Sequence, residues 1–315
     1  KKNKQEGRLG KGMVNMAGKR KRIYKKRDYI AFVFLAPWII GFLVFQAYPF
    51  LSSAVYSFTD LSMLKEYKFI GLKNFQQIFT RDQNFVQSLK VTVIYVLVSV
   101  PLKLVFALFI AMLLNMKVKG IGIFKTLYYL PSILGGSVGI AILWRFLFNK
   151  NGFVNLLFGK IGLPAVDWLG SPDVALLTIS LLAVWQFGSS MILFLAALKQ
   201  IPRDLYEAAQ VDGAGRVRIF FTITLPMITP IVLFNIVMQM INAFQEFAAP
   251  FLITKGGPLK ATYLYGLMLY DTAFTYLKMG YASALSWIMF IIIMILTALI
   301  FKSSEYWTFY QDGGK

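Results

Sequence analysis

The sequence predicts an all-α, polytopic membrane protein with six transmembrane helices, and three observations point there. Hydrophobic residues make up 57% of the 315, above the roughly 45–50% of an ordinary soluble domain. Mean hydropathy is +0.62. Six apolar runs each reach the length of about 20 residues that crosses a bilayer core; they lie at about 29–57, 87–115, 124–148, 174–198, 227–250 and 280–302.

Ahead of the first run, residues 1–28 carry twelve Lys/Arg and two acidic side chains. The run that follows is far longer than a signal-peptide core and lacks a small-residue cleavage site, so residues 1–28 read as a retained basic tail. Lys/Arg excess marks the cytoplasmic side. With the N-terminus inside, the inside segments (1–28, 116–125, 199–218, 302–315) hold 21 Lys/Arg and the outside segments (58–86, 149–173, 251–279) hold 9. Six spans place both termini in the cytoplasm, with residues 29–302 as the membrane core and 303–315 as a C-terminal tail. The net charge of +19 is read as attraction to anionic membrane lipids, since no nucleic-acid-binding motif accompanies it. The chain has no cysteine and no histidine, which removes thiolate chemistry and the commonest metal ligand and general base. No catalytic residue, metal site or cofactor is expected.

The first run contains Pro37 and Pro49, which bend membrane helices. After it, Phe69, Leu72, Phe75, Ile78 and Phe79 recur at three and four, predicting an amphipathic helix at the membrane interface. The third run holds Gly135 and Gly139 in a GxxxG pattern, read as a helix-packing face or as part of a substrate-lining wall. Asn151-Gly152, Leu163-Pro164 and Ser171-Pro172 mark turns in the loop after it, and Gly256-Gly257-Pro258 marks a sharp turn in the last loop.

Between the fourth and fifth runs, residues 199–226 read KQIPRDLYEAAQVDGAGRVRIFFTITLP. Pro202 and Asp204 start a short helix that Gly213 stops; a second short helix, RVRIFFTIT, is expected to end at Leu225-Pro226. Ala208 and Ala209 offer a surface without bulk, Gly213 the φ freedom of a tight reversal, and Glu207 a charge for a basic partner group. The insert reads as a docking element for another protein.

Glu207-Ala208-Ala209, Gly213, Ile223 and Leu225-Pro226 match, without a gap, the EAA–G–I–LP motif. The chain is therefore identified as resembling the permease subunits of binding-protein-dependent ABC importers, in the carbohydrate-uptake (maltose and multiple-sugar) branch. The resemblance covers about 29–302 and includes FIGLKNF, LYYLPSIL, VDWLGSP, VWQFGSSMILFLAALKQIP, ITKGGP and MGYASALSW. It implies the type I importer permease fold, with the 199–226 loop as a cytoplasmic coupling helix seated on an ATPase through Glu207, Ala208, Ala209, Asp212, Gly213, Leu225 and Pro226. It also implies the partners: a second homologous permease, two cytoplasmic ATP-binding subunits, an extracellular solute-binding protein and a sugar or oligosaccharide cargo, in a bacterial or archaeal cell membrane. No phosphate-binding loop occurs in the chain, so ATP hydrolysis is assigned to the partners.

A sugar pathway needs polar side chains inside the bundle, because each hydroxyl loses water on entry. Trp185, Gln186, Ser189, Ser190, Gln239, Asn242, Gln245, Glu246, Ser132 and Lys103 stand out among the polar or amphipathic residues within spans. The resemblance carries sugar contacts to Ser132, Gly136, Gln186, Ser189, Gln239, Asn242 and Glu246. WQFGSSM is one residue shorter than the maltose-type WxxxPxxM, so the span-four positions carry over in either of two registers. Glu246, about 20 residues into the fifth run, pairs with the sugar, with Lys103 or Arg145, or reaches the outer interface. Lys103 reads as a snorkelling side chain or a ligand. Two rival classes are an ion-coupled secondary transporter, which needs paired ionisable groups and inverted repeats, and an exporter or assembly scaffold.

Overall fold

A computed structural model describes residues 30–62, 67–116 and 120–309; the basic tail of residues 1–28 and residues 310–315 lie outside them. Two compact units divide at Tyr56/Ser57. The first contains α1, Ile30–Tyr56, which has a π-helical turn at Leu43–Ala47 and stacks Trp38 on Phe42 with centroids 5.7 Å apart.

In the second unit, α2 (Lys73–Arg81) precedes the longest helix, α3 (Gln83–Leu114). The Asp82 carboxylate caps α3, accepting from the Asn84 and Phe85 N–H groups at 2.9 and 3.3 Å. Next come α4 (Ile121–Leu134), α5 (Val138–Leu147), α6 (Phe153–Lys160), α7 (Pro172–Trp185), α8 (Gly188–Gln200) and α9 (Arg203–Val211). The long α10 runs Arg216–Phe244; a short α11 (Tyr265–Tyr270) and α12 (Met279–Ser304) complete the unit. Among the described residues four helices, α1, α3, α10 and α12, are long and apolar enough to cross a membrane, or six spans when each of two bent pairs counts as one. Those pairs are α4–α5, bent by 102°, and α7–α8, bent by 46°.

Helix α3 is the central post, with α7, α8, α10 and α11 packed around it. Its buried side chains Tyr95, Leu104, Ala107 and Ala111 meet Met191, Phe194, Ile228 and Met240 in the main core. Elsewhere large apolar side chains point outward, among them Leu97 at 67% and Val105 at 68% exposure. Such a coat is tolerable where the surrounding solvent is lipid.

Four expectations change. The GxxxG face does not exist as one helix surface: Gly135 ends α4 and Gly139 lies in α5, beyond the 102° break. The predicted second short helix of the 199–226 insert is not separate, because Arg216–Ile219 continues through a π-helical turn at Phe220–Thr224 into the span. The fifth span stops at Phe244, so Glu246 stands beyond the helix rather than deep inside it. Finally, the amphipathic stretch is divided. Phe69 pairs with Thr59 in an isolated antiparallel bridge, while α2 buries Ile78 against Tyr265 and Leu285. Asn74 fastens α2 by donating to the Ser57 and Thr59 carbonyls at 2.8 and 2.9 Å. An amide buried on that face, with only part of the apolar set beside it, makes α2 a docked packing element.

Candidate functional site: a polar cavity between broken spans

The two bends hold each other open. The Ser132 hydroxyl, one turn before the α4 break, donates to the Gln186 carbonyl at 3.1 Å and accepts the Ser189 N–H at 3.1 Å. Both backbone groups lie at the α7–α8 break, where intrahelical partners are lost. In return, Gln186 Nε2 donates to the Gly135 carbonyl at 3.0 Å, at the α4–α5 break. Ser137 caps the new helix by accepting the Ile140 N–H at 3.4 Å. Irregular backbone at membrane depth persists only where such partners exist. Close approach makes it possible: a Cβ on Gly188 would stand 2.6 Å from the Tyr128 carbonyl oxygen and 2.8 Å from Ser132 Oγ.

A cavity of about 250 Å³ opens beside these breaks, lined by Tyr95, Ser99, Lys103, Ser132, Gln186, Ser189, Gln239, Asn242 and Glu246 among others. Six of the seven residues carried over as sugar contacts therefore meet at one place. The seventh, Gly136, is exposed, outside the lining, and has nothing within 4 Å of a Cβ placed on it. Ser132 and Gln186 are largely committed to the breaks, whereas Asn242 is exposed and makes no side-chain hydrogen bond among the described residues. Gln239 is buried and donates to Ser190 Oγ at 3.1 Å. Glu246 Oε1 accepts the Ala249 N–H at 3.0 Å, leaving its other oxygen for the cavity. Trp185 instead packs at a tilt against Trp144, centroids 6.1 Å apart. Arg145, offered as a partner for Glu246, lines a different cavity with Lys150 and Asp167.

Apart from Lys103, sequence reasoning missed the wall supplied by α3. Ser88, Thr92, Tyr95, Ser99 and Lys103 recur at intervals of four, three, four and four, which aligns them on one helix face. That polar stripe in an apolar run was the available signal. A larger cavity of about 530 Å³ lies among residues 60–84 and 263–281, but its Asp82 caps α3 and also accepts the Tyr281 hydroxyl at 2.7 Å. Those groups hold loops together.

On the 199–226 insert, α9 begins after Pro202, and Gly213 adopts φ +74° as its N–H bonds the Gln210 carbonyl at 3.0 Å. Glu207, Ala208, Asp212 and Gly213 are exposed and Ala209 is half-buried. Leu225 and Pro226 lie inside α10, half-buried, with Leu225 packed on the main core and so off that exposed face. The Tyr206 hydroxyl meets Thr224 Oγ1 at 3.1 Å and ties α9 to the base of α10.

Broken spans around a polar cavity, with a polar helix standing free at one end, define a helical membrane protein of the solute-permease class. The particular family follows from comparison: residues 78–307 match the family of binding-protein-dependent transport system inner membrane components, and the chain belongs to it. The "Probable ABC transporter permease protein YesP" of Bacillus subtilis (strain 168) is 50% identical over 299 residues, covering 94% of this chain and 97% of that one. The lactose transport system permease protein LacF of Rhizobium radiobacter is 35% identical, covering 90% and 96%. A bacterial alginate ABC transporter, crystallised with its alginate pentasaccharide-bound periplasmic protein, has a chain of the same fold (TM-score 0.75, 24% identity, covering 89% of this chain and 95% of that chain).

Proposed function

We propose that this permease forms half of the translocation pathway of an ABC importer for a sugar or oligosaccharide. One observation carries the reading: a cavity lined by Gln186, Gln239, Asn242, Glu246 and Lys103 lies within an otherwise apolar bundle. Amides, hydroxyls and two opposite charges replace the water that a polyol sheds. The relatives named for lactose transport and for trehalose and maltose transport support sugar as the class. Two cytoplasmic ATP-binding subunits supply the energy, one of them seated on Glu207, Ala208, Ala209, Asp212 and Gly213. A solute-binding protein delivers cargo at the opposite face, and both termini lie in the cytoplasm. A second permease completes the pathway, since about 250 Å³ falls below the roughly 300–1,000 Å³ of ordinary ligand sites.

The test is reconstitution of the chain with the ATPase subunits, the second permease and the sugar-loaded binding protein in proteoliposomes. Accumulation that requires ATP inside the ATPase-bearing compartment is expected. Uptake that follows a proton or sodium gradient without ATP would overturn the reading and favour ion-coupled transport.

A further inference from the structure

The polar stripe on α3 divides in two. At its upper end every group is occupied: Ser88 Oγ donates to the Phe85 carbonyl at 3.0 Å and to Met268 Sδ at 3.1 Å. Thr92 Oγ1 donates to the Ser88 carbonyl and accepts the Tyr265 N–H, both at 2.8 Å. These bonds fix α11 to α3 and explain why the polar residues are tolerated there. The lower end has no such explanation. Ser99 is 2% exposed, yet its hydroxyl has no hydrogen-bond partner of good geometry among the described residues, with the Tyr95 hydroxyl beside it. Lys103 makes no hydrogen bond or ion pair among the described residues. Both line the central cavity.

Snorkelling does not account for Lys103. It precedes the last residue of α3, Leu114, by eleven positions, about 16 Å along the axis at 1.5 Å per residue. That is far more than a four-carbon stem can span. A lysine at such depth is retained for pairing or for the solute path. Glu246 lines the same cavity, with one carboxylate oxygen on the Ala249 N–H at 3.0 Å. The two opposite charges line one cavity with no salt bridge between them among the described residues, so a hydroxylated molecule can engage both. The ammonium offers three donors and the free carboxylate oxygen an acceptor, the combination that adjacent sugar oxygens and hydroxyls satisfy.

We propose that Lys103 contacts the transported substrate directly, donating hydrogen bonds to its oxygens from the α3 wall, with Ser99 beside it. The proposal rests on the reading of this cavity as the sugar pathway. The shared chemistry is an oxygen acceptor; a sugar hydroxyl or ring oxygen and a sugar carboxylate are its two sources.

The experiment uses the complete reconstituted transporter. Its probe is the sugar eluted from the cognate binding protein purified from cells, tritium-labelled and reloaded onto that protein. Uptake and ATP hydrolysis are measured together for wild type, Lys103→Met, Lys103→Arg and Lys103→Cys. The loss of a charge-assisted hydrogen bond lowers uptake in Lys103→Met by about tenfold or more, while hydrolysis stimulated by the binding protein persists. Lys103→Arg retains most uptake. Because the chain has no cysteine of its own, Lys103→Cys treated with 2-aminoethyl methanethiosulfonate regains a cation at that position, and uptake returns; treated wild type is the control for cysteines of the partners. Methyl esterification of any carboxylate on the eluted sugar separates the sources: uptake is lost on esterification for a carboxylate and kept for hydroxyls. Wild-type uptake matched within about twofold by Lys103→Met overturns the proposal, as does a loss that takes complex assembly with it and resists both rescues. Wild-type complexes that show no ATP-dependent uptake overturn the pathway reading itself.

Discussion

Ser132 and Asn242 line one cavity and do different work. The Ser132 hydroxyl serves two backbone groups at the α7–α8 break, and leaving buried backbone groups unpaired costs about 1–3 kcal/mol. Ser132→Ala therefore lowers the melting temperature of the purified complex as well as uptake. Asn242 has no side-chain hydrogen-bond partner among the described residues, so Asn242→Ala lowers uptake of the cognate sugar while melting stays unchanged. Equal loss of stability in both variants would show that the distinction is wrong. Gly188 gives a sharper case: a methyl group there meets the Tyr128 carbonyl oxygen at 2.6 Å and the Tyr129 Cα at 2.7 Å. Backbone cannot yield as a side-chain tip does, and overpacking of this kind costs about 1–3 kcal/mol. Gly188→Ala is expected to reduce the yield and melting temperature of folded complex, read by fluorescence size-exclusion chromatography across a heating series. At this scale the sequence named most of the cavity, because a polar side chain in an apolar run has few places to go. It was silent on which hydroxyl would be spent on backbone, since Ser132 and Gln186 stand 54 positions apart in the chain.

At the scale of elements, α9 and the base of α10 form the lever of the proposed coupling. Its outer surface, with Glu207 and Ala208, is free, whereas Tyr206 and Thr224 join it to the span at 3.1 Å. Force applied at Glu207 thus passes into α10, which carries Gln239 and Asn242. Glu207→Ala and Gly213→Val are each expected to cut sugar uptake per ATP hydrolysed by about tenfold. The second acts because a non-glycine residue at φ +74° costs about 1–2 kcal/mol. Measuring hydrolysis and uptake on the same vesicles checks this, and an unchanged ratio would remove the docking role. The insert was legible because Pro202, Asp204 and Gly213 punctuate it with local signals. The bent pairs were not: a Gly-Gly step suits close helix packing as well as a break, and Gln186-Phe187 carries no breaker at all.

For the molecule as a whole, the prediction is dependence. The cavity proposed as the pathway measures only about 250 Å³ in this chain, so the permease purified without its second permease and ATPase subunits should give vesicles with no sugar uptake above background. Adding all partners with ATP should restore it. Uptake by the chain in isolation would contradict the half-pathway reading. The helical membrane class, the broad span positions and the short polar helix of the insert were present in the linear pattern, because hydropathy, charge and turn chemistry are local quantities. The tertiary structure decided where spans four and three break, that the fifth ends at Phe244 ahead of Glu246, and that Lys103 faces the cavity from α3. Those outcomes depend on hydrogen bonds between residues far apart in the chain. In lipid, a backbone group freed by a break has no water to turn to, so the partner across the bundle determines whether the break can exist.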